Sequence, residues 1–224
     1  MNIKDCSFDN SDSFYDQSTK IVYDKVSEIV RTGCSVHRPK TKEELRSLIK
    51  ESYIGKTTCS VVSGGRNWGY GGFLPVYNST DIISLRHFKT IHSFDEELGI
   101  VHIDAGVTQG ELQAYLLQNG LDFYVPTTGA GPYGSILGNA LERGFGPAPM
   151  ENHAESILSF SGYLCDGTEY TSAFDEVDSF LSTCFSEGIG PSLDRLIVQS
   201  SWLAITDVKI QLVKRSGQSS LALV

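Results

Sequence analysis

No stretch of the 224-residue chain is an apolar run long enough for a membrane-spanning helix, which needs about 18 residues. The amino-terminal segment MNIKDCSFDNSDSFYDQSTK is polar and acidic, and it lacks the basic start and apolar run of a secretory signal peptide. The five cysteines are odd in number and form no CxxC pair that would bind zinc or exchange disulfides. We therefore expect a soluble, cytoplasmic protein with reduced thiols and no membrane partner.

Basic residues are also scarce. The chain has 18 Lys and Arg against 27 Asp and Glu, a formal net charge of -9, and no Lys/Arg cluster. A phosphate backbone would on average be repelled, so we expect no nucleic-acid partner. Metal-ligand spacing such as HxxxH is absent from the scattered histidines, which predicts no metal site. The serine-nucleophile motif GxSxG is absent as well.

The hydrophobic residues that are present, 40 % of the chain, follow a pattern typical of an α+β fold. Residues 1–34 are predicted to form an arm followed by a helix at about 20–31, where apolar residues recur at roughly helical spacing. Residues 35–85 read as strand, helix, strand, loop and strand, a small β-α-β lobe. Its helix begins at Thr41, with Glu44 three residues on as a capping box.

Residues 90–214 predict a larger mixed lobe with an antiparallel sheet and flanking helices. TIHSFDEELGIVHIDAG and ESILSFSGYLCDGTEYTS are typical of hairpins, the second turning at Asp166-Gly167. TQGELQAYLLQNG predicts a helix that ends at Gly120, and a short helix is expected at about 136–142. AITDVKIQLV alternates as a strand.

Glycines are concentrated in SGGRNWGYGG, residues 63–72, directly after a predicted strand. Clustered glycines let backbone N–H groups converge on an anion without interference from Cβ atoms. The GxGxxG fingerprint of a Rossmann unit would continue into a helix, whereas FLPVYNST follows here, so a nicotinamide site is not indicated. A glycine-rich surface loop without a ligand remains the alternative for this loop alone.

A second loop, VPTTGAGPYGSILGNALERGFGP, again combines small residues with a Ser and an Asn that can donate to phosphate oxygens. Two such loops in one short chain suggest a pyrophosphate held from two sides. With VHIDAGVTQGELQAYL between them and DGTEY and QSSWLAITDVKIQL after them, the order resembles the FAD-binding (PCMH-type) domain of the vanillyl-alcohol oxidase and p-cresol methylhydroxylase flavoproteins. The resemblance runs from about residue 35 to about 214, and it implies a two-lobed FAD-binding fold.

The resemblance also implies roles for individual positions. In that family the first loop and the GSxxGN turn wrap the FAD pyrophosphate. The matching residues here are Gly64, Gly65, Arg66, Asn67, Gly69, Gly134, Ser135, Gly138 and Asn139. Further matches are Trp68 and Tyr70 along the cofactor, Pro126, Thr127 and Thr128 beside the flavin or ribityl chain, Gly144 and Gly146 beside the isoalloxazine, and Ile205 at the adenine. A purely conformational role for any single glycine is the alternative.

The sequence departs from the family at three places. Arg66 stands where many relatives carry a His bonded covalently to flavin, so that bond is excluded at this position. Asn152 stands where the aryl-alcohol members carry an Asp close to the reactive flavin nitrogen, and an amide can neither act as a base nor carry negative charge. The adjacent His153 is a candidate proton acceptor or a hydrogen-bonded structural residue. Leu203 stands where a Gly is usual, which would crowd the adenine strand.

Three functions are compatible with this sequence. The first is an FAD-linked oxidoreductase that moves a hydride from a small alcohol, phenol or hydroxy acid to flavin. The family's substrate domain would begin at about residues 215–224, so the catalytic partner would be that missing domain or a separate chain. The second is a truncated or split FAD-binding module, and the third is a folded remnant that no longer binds the cofactor.

Overall fold

The computed structural model describes residues 13–25, 27–66, 72–146, 149, 151–178, 180–185 and 192–215. In this part of the chain the strands are β1 (Ser13–Asp16), β2 (Ile21–Asp24), β3 (Val30–Arg31), β4 (Ser35–His37), β5 (Cys59–Val62), β6 (Asp81–Ser84), β7 (Ile91–Asp95), β8 (Ile100–Asp104), β9 (Ile157–Leu164), β10 (Glu169–Thr171) and β11 (Leu203–Gln211). The α-helices are α1 (Lys42–Gly55), α2 (Gln109–Gln118), α3 (Ile136–Leu141), α4 (Ala173–Val177) and α5 (Leu181–Cys184). Short 3₁₀ turns occupy His153–Ser156 and Leu193–Leu196.

The predicted β-α-β pattern at residues 35–85 is confirmed. Strands β4, β6 and β5 form a parallel sheet in that order, and α1 crosses from β4 to β5. Thr41 caps α1 by accepting a hydrogen bond from the backbone N–H of Glu44 at 3.2 Å. The Glu44 carboxylate accepts from the Lys40 N–H instead of that of Thr41, so only half of the predicted capping box forms.

The prediction of a helix at about 20–31 is wrong. These residues contain β2 and β3, which join β1 in an antiparallel sheet of three strands. Within β2 the buried residues Val22 and Asp24 alternate with partly exposed ones, which is a strand period. Lys20 and Glu28 have positive φ values of 53° and 58°, and the chain therefore turns at both ends of β2 where a helix would have to continue.

The predicted antiparallel sheet of the larger lobe is confirmed, with strand order β10-β9-β11-β8-β7. Both hairpins, β7–β8 and β9–β10, form where the sequence indicates. At the second turn Gly167 has a φ of +79°, a conformation that favours glycine. The long strand β11 lies at the centre, antiparallel to both β8 and β9, so the last strand of the lobe completes its core.

The helices of the larger lobe also lie where the sequence predicts them. Helix α2 ends just before Gly120, which has a φ of +67°, and α3 covers the short helix expected near 136–142. A complete capping box, formed by Thr108 and Glu111, begins α2. This box was not predicted, although Thr108 and Glu111 have the required spacing in the sequence.

Helix α1 connects the two main sheets. Leu45 and Ile49 pack with residues of the antiparallel sheet in one hydrophobic cluster. Lys42 donates to Asp207 of β11 at 2.6 Å, and Arg46 donates to the Gly167 carbonyl at 2.9 Å. Burial alone would raise the pKa of the Asp207 carboxyl. Hydrogen bonds from His102, Lys42 and Thr206 have the larger combined effect and hold this pKa well below its usual range.

Among the described residues no helix is long and apolar enough to cross a membrane. The 215–224 segment, where the sequence places the start of a substrate domain, lies outside the described residues except for Arg215.

Candidate cofactor site

The two glycine loops lie against each other. The first loop follows β5, and the second leads into α3. A Cβ built on Gly64 would lie 3.7 Å from the Cβ of Ser135 and 3.8 Å from the Tyr133 carbonyl oxygen. A Cβ built on Gly138 would lie 3.3 Å from the Ser63 hydroxyl. The two loops predicted to hold a pyrophosphate from two sides are therefore neighbours in the structure.

Gly65 is required by the conformation of the first loop. Its φ is +68°, and a Cβ there would lie 2.6 Å from the ring of Phe73, which is buried. A side chain at this position would be strained and would also collide with an aromatic core residue. The Gly65 backbone is thus fixed against Phe73.

Arg66 supplies a positive charge at the meeting point of the loops. Its guanidinium carbon lies 4.7 Å from the centroid of the Tyr133 ring, a cation–π distance. No carboxylate of the described residues pairs with Arg66, and the backbone N–H groups of Gly64, Gly65 and Arg66 donate to no acceptor among those residues. In a protein of net charge -9, these features suit a dianionic pyrophosphate.

Gln109, the first residue of α2, holds the second loop in place. Its buried side chain donates to the Thr128 hydroxyl at 3.0 Å and accepts from the Thr128 N–H at 3.1 Å. A Cβ on Gly134 would lie 2.8 Å from the Gln109 amide nitrogen. Because Gln109 touches both ends of the loop, it fixes the path of the backbone between Thr128 and Gly134.

Ser135 contributes to this site through the backbone conformation that it stabilises. Its hydroxyl donates to the Ala105 carbonyl at 3.0 Å and accepts from the Gly138 N–H at 3.1 Å. The single hydroxyl proton is therefore used inside the protein and is not available to a phosphate oxygen. The same hydroxyl caps the start of α3.

Asn139, which is partly buried, and His153, which is buried, form a hydrogen-bonded pair next to the second loop. The Asn139 amide nitrogen is hydrogen-bonded to Nδ1 of His153. His153 is only 1 % exposed. Gly144 packs against the Asn139 amide, and a Cβ on Gly146 would lie 2.5 Å from the Thr127 carbonyl oxygen and 2.6 Å from Nε2 of His153. Both glycines are needed for close packing around this pair.

The other candidate residues are dispersed around the loops. Asn152 is exposed, and its side chain accepts from the Ala154 N–H at 3.3 Å and donates to Glu155 at 2.8 Å. Pro126 is buried while Thr127 is exposed, both in an irregular segment that the sequence interprets as a strand end. The assignment of Asn152 and His153 to catalysis stays a prediction.

Ile205 lies in the central strand β11, opposite Gly162 of β9, and is buried. A Cβ on Gly162 would lie 2.9 Å from the Ile205 Cα, so the two backbones approach closely here. Leu203, the first residue of β11, pairs with Leu164 and is half-buried. The strand therefore forms with Leu203 in place of the glycine usual in the family.

Four predicted cofactor residues, Asn67, Trp68, Gly69 and Tyr70, lie outside the described residues. In the parts of the chain that are described, no group of three or more His, Cys, Asp or Glu side chains is placed to hold a metal ion.

Two residues that contribute to the site were not predicted from the sequence. Gln109 has the position of an ordinary polar residue in the first turn of a helix, and nothing in its sequence context signals burial. Tyr133 lies within the second loop, but its contact with Arg66 depends on how the two loops meet. Ring and cation are 67 residues apart by their numbers, so local sequence carries no signal for the pair.

Comparison with known proteins agrees with this geometry. The model of a family described as an FAD binding domain matches residues 35–172. The chain is 34 % identical over 155 residues to 1'-carboxy-chondrochloren decarboxylase from Chondromyces crocatus, covering 69 % of this chain and 29 % of the relative. It is 29 % identical over 167 residues to the flavoprotein subunit of 4-cresol dehydrogenase (hydroxylating) from Pseudomonas putida, covering 72 % and 31 %.

Solved structures show the same fold. A p-cresol methylhydroxylase with bound substrate superposes with a TM-score of 0.76 at 25 % identity, covering 80 % of this chain and 35 % of that one. A 4-ethylphenol oxidase from Gulosibacter chungangensis superposes with a TM-score of 0.78 at 23 % identity, covering 82 % and 35 %. The chain thus spans about a third of the length of these relatives.

The predicted α+β FAD-binding fold is confirmed by these structures, and the match over residues 35–172 identifies the cofactor as FAD. The chain therefore belongs to the FAD-binding domain family, of the type found in p-cresol methylhydroxylase flavoproteins.

Proposed function

We propose that this chain binds FAD by its pyrophosphate at the paired glycine loops and is the cofactor-binding part of an oxidoreductase. The substrate class would be a small alcohol, phenol or hydroxy acid. The observation that carries the proposal is the close approach of Gly64 in the first loop to Ser135 in the second, where an added Cβ would lie 3.7 Å from the Ser135 Cβ, together with the Arg66 charge on the Tyr133 ring.

Recognition of the pyrophosphate would rest on the backbone and on one side chain. Gly64, Gly65 and Arg66 offer N–H groups that have no acceptor among the described residues. Arg66 adds a guanidinium that can form two parallel hydrogen bonds to phosphate oxygens. The Tyr133 ring lies on one side of this guanidinium, 4.7 Å from its carbon, and leaves the guanidinium N–H groups available to the phosphate.

The flavin end of the cofactor would lie toward residues 126–128, 144–146 and 152–153, as the family resemblance implies. When bound, FAD supplies the acceptor for the hydride that leaves the substrate. The Asn152 side chain can accept or donate a hydrogen bond there but cannot take up a proton. His153 is buried and bonded to Asn139, an arrangement that holds the backbone around Gly146.

Substrate binding would require residues beyond those of this fold. The exposed aromatic side chains Tyr133 and Phe145 flank the candidate site, with residue exposures of 59 % and 70 %. A substrate domain or a separate chain that covers these rings would bury apolar surface and close the site. An FAD-binding module that acts only beside such a partner is the second candidate function, favoured by the exposure of both rings.

A titration of the purified chain with FAD, FMN and riboflavin tests the mode of binding. Recognition of the pyrophosphate predicts that FAD binds at least about tenfold more tightly than FMN, a difference of roughly 1.4 kcal/mol, because FMN has one phosphate. Quenching of flavin fluorescence gives the three affinities. Equal affinities for FAD and riboflavin would show that the loops do not recognise phosphate and would contradict the proposal.

Reduction of the bound flavin tests the oxidoreductase part separately. The complex is mixed without oxygen with a panel of phenols, benzylic alcohols and 2-hydroxy acids, and bleaching of the flavin is followed. Bleaching by one class identifies the substrate. Tight FAD binding without bleaching by any of them would favour the second candidate function, a module that needs a partner chain.

A further inference from the structure

Two histidines that are separated along the chain lie side by side on the antiparallel sheet. His92 is in β7 and His102 is in β8, and their ring centroids are 4.5 Å apart with 31° between the ring planes. The two strands form a hairpin whose register shifts between Ile91 and Ser93, at the position of His92. We refer to His92 and His102 as the histidine pair.

Each ring of the histidine pair is held by a buried carboxylate. Nε2 of His92 is 2.8 Å from Oδ1 of Asp104, and Nε2 of His102 is 2.9 Å from Oδ1 of Asp207. The two aspartates are only 6 % and 5 % exposed and face each other across β8 and β11. Because a carboxylate only accepts, Nε2 must carry the proton in each neutral ring, and the lone pair is then on Nδ1.

The carboxylates are themselves fixed by further donors. The Thr90 N–H donates to the other oxygen of Asp104 at 2.9 Å. Lys42 and Thr206 donate to the other oxygen of Asp207 at 2.6 and 2.7 Å. Such fixed carboxylates are the usual outer partners of metal-bound histidines, whose orientation and basicity they set.

The Nδ1 atoms of the histidine pair have no partner among the described residues. The side chains of His92 and His102 are 35 % and 27 % exposed, so solvent reaches the rings. The two imidazole rings are adjacent and each is backed by a carboxylate, and imidazole nitrogen is a ligand that suits Ni²⁺, Cu²⁺ and Zn²⁺.

We propose that the histidine pair binds a divalent transition-metal ion through its two Nδ1 atoms, with water completing the coordination. No third His, Cys, Asp or Glu of the described chain is placed to join the pair, so the site is open and exchangeable. Asp104 and Asp207 act as positioning residues behind the ligands. The site lies on the sheet formed by β7, β8 and β11 and does not depend on FAD binding.

Calorimetric titration of the full chain with NiCl₂ tests this proposal. The protein is prepared without a polyhistidine tag, which would itself bind the ion. We expect one ion per chain, with binding lost in the His92→Asn and His102→Asn variants. Asp104→Asn retains the acceptor for the Thr90 N–H but not for His92, and it should weaken binding by about 10- to 100-fold.

His87→Asn is the matched control. His87 is largely exposed, and its pKa is lowered by partial desolvation and by the nearby cations Lys40, Arg86, Arg38 and Lys89. These cations would repel a metal ion, so this variant should bind Ni²⁺ as the wild type does. The unfolding temperature of every variant is measured to identify any that fail to fold.

Two outcomes would overturn the proposal. Nickel binding that survives in the double variant His92→Asn/His102→Asn would assign the ion to another site, such as the free thiols of Cys59 or Cys165. Independently of any variant, nitrogen NMR of the wild-type imidazoles should show Nδ1 unprotonated in both rings. A proton on Nδ1 of either neutral ring would contradict the geometry on which the site is based.

Discussion

The Gly64→Ala variant is expected to bind FAD about tenfold more weakly or worse, a loss of roughly 1.4 kcal/mol or more, while its unfolding temperature without cofactor stays unchanged. In the protein alone, the added Cβ makes ordinary contacts with Ser135 and Tyr133 at 3.7 and 3.8 Å. In the binding mode proposed above, a methyl group there would stand where the phosphate oxygens approach the Gly64 N–H. Affinity is measured by fluorescence titration and stability by thermal unfolding.

Gly55→Ala is the matched control for this variant. Gly55 is the last residue of α1, and a Cβ there would contact only Thr57, at 3.8 Å. The Gly55→Ala variant should leave FAD affinity unchanged. Gly65→Ala should lose stability as well as affinity, because it strains the backbone and collides with Phe73. Undiminished FAD binding by Gly64→Ala would remove the first loop from the pyrophosphate site.

The His153→Ala variant is expected to lower the free energy of unfolding by about 2–4 kcal/mol. The substitution empties the volume of a ring that is 1 % exposed, and it removes the partner of the Asn139 amide. It also removes the support of the tight backbone at Gly146. Urea unfolding of the protein without cofactor gives this loss directly.

His87→Ala serves as the control, because His87 is exposed and its loss should change stability little. The result separates the two roles that the sequence leaves open for His153. A large loss of stability would assign His153 to the packing behind the second loop. An unchanged unfolding midpoint, together with loss of flavin reduction by substrate, would instead support the role of proton acceptor.

Local signals in the sequence predict much of the fold. The helices α1 and α2, the two hairpins and the turn at Gly167 follow from patterns within single segments, and the structure confirms them. The prediction of a helix near residues 20–31 is wrong because the structure of this segment is set by tertiary contacts. Its apolar spacing fits a helix, but β2 pairs with β1 and β3 and buries Val22 completely, and that pairing depends on tertiary contacts.

The candidate site is predicted only in part. Glycine-rich composition and family order identify both loops, but their contact, the cation–π pair of Arg66 and Tyr133, and the support from Gln109 arise from the meeting of distant segments. The same is true of His92, which reaches His102 through a hairpin register with an irregular step. Such contacts have no periodicity in the chain from which they could be inferred.

The most direct test of the account is whether the purified chain retains FAD. The protein is incubated with FAD, passed through a gel-filtration column, and its visible absorption spectrum is recorded beside the protein absorption. The account predicts that the protein peak carries the flavin spectrum at one FAD per chain, and that the Gly64→Ala variant carries less. A colourless protein peak from folded wild-type protein would contradict the account, since the paired glycine loops would then lack the function that their geometry supports.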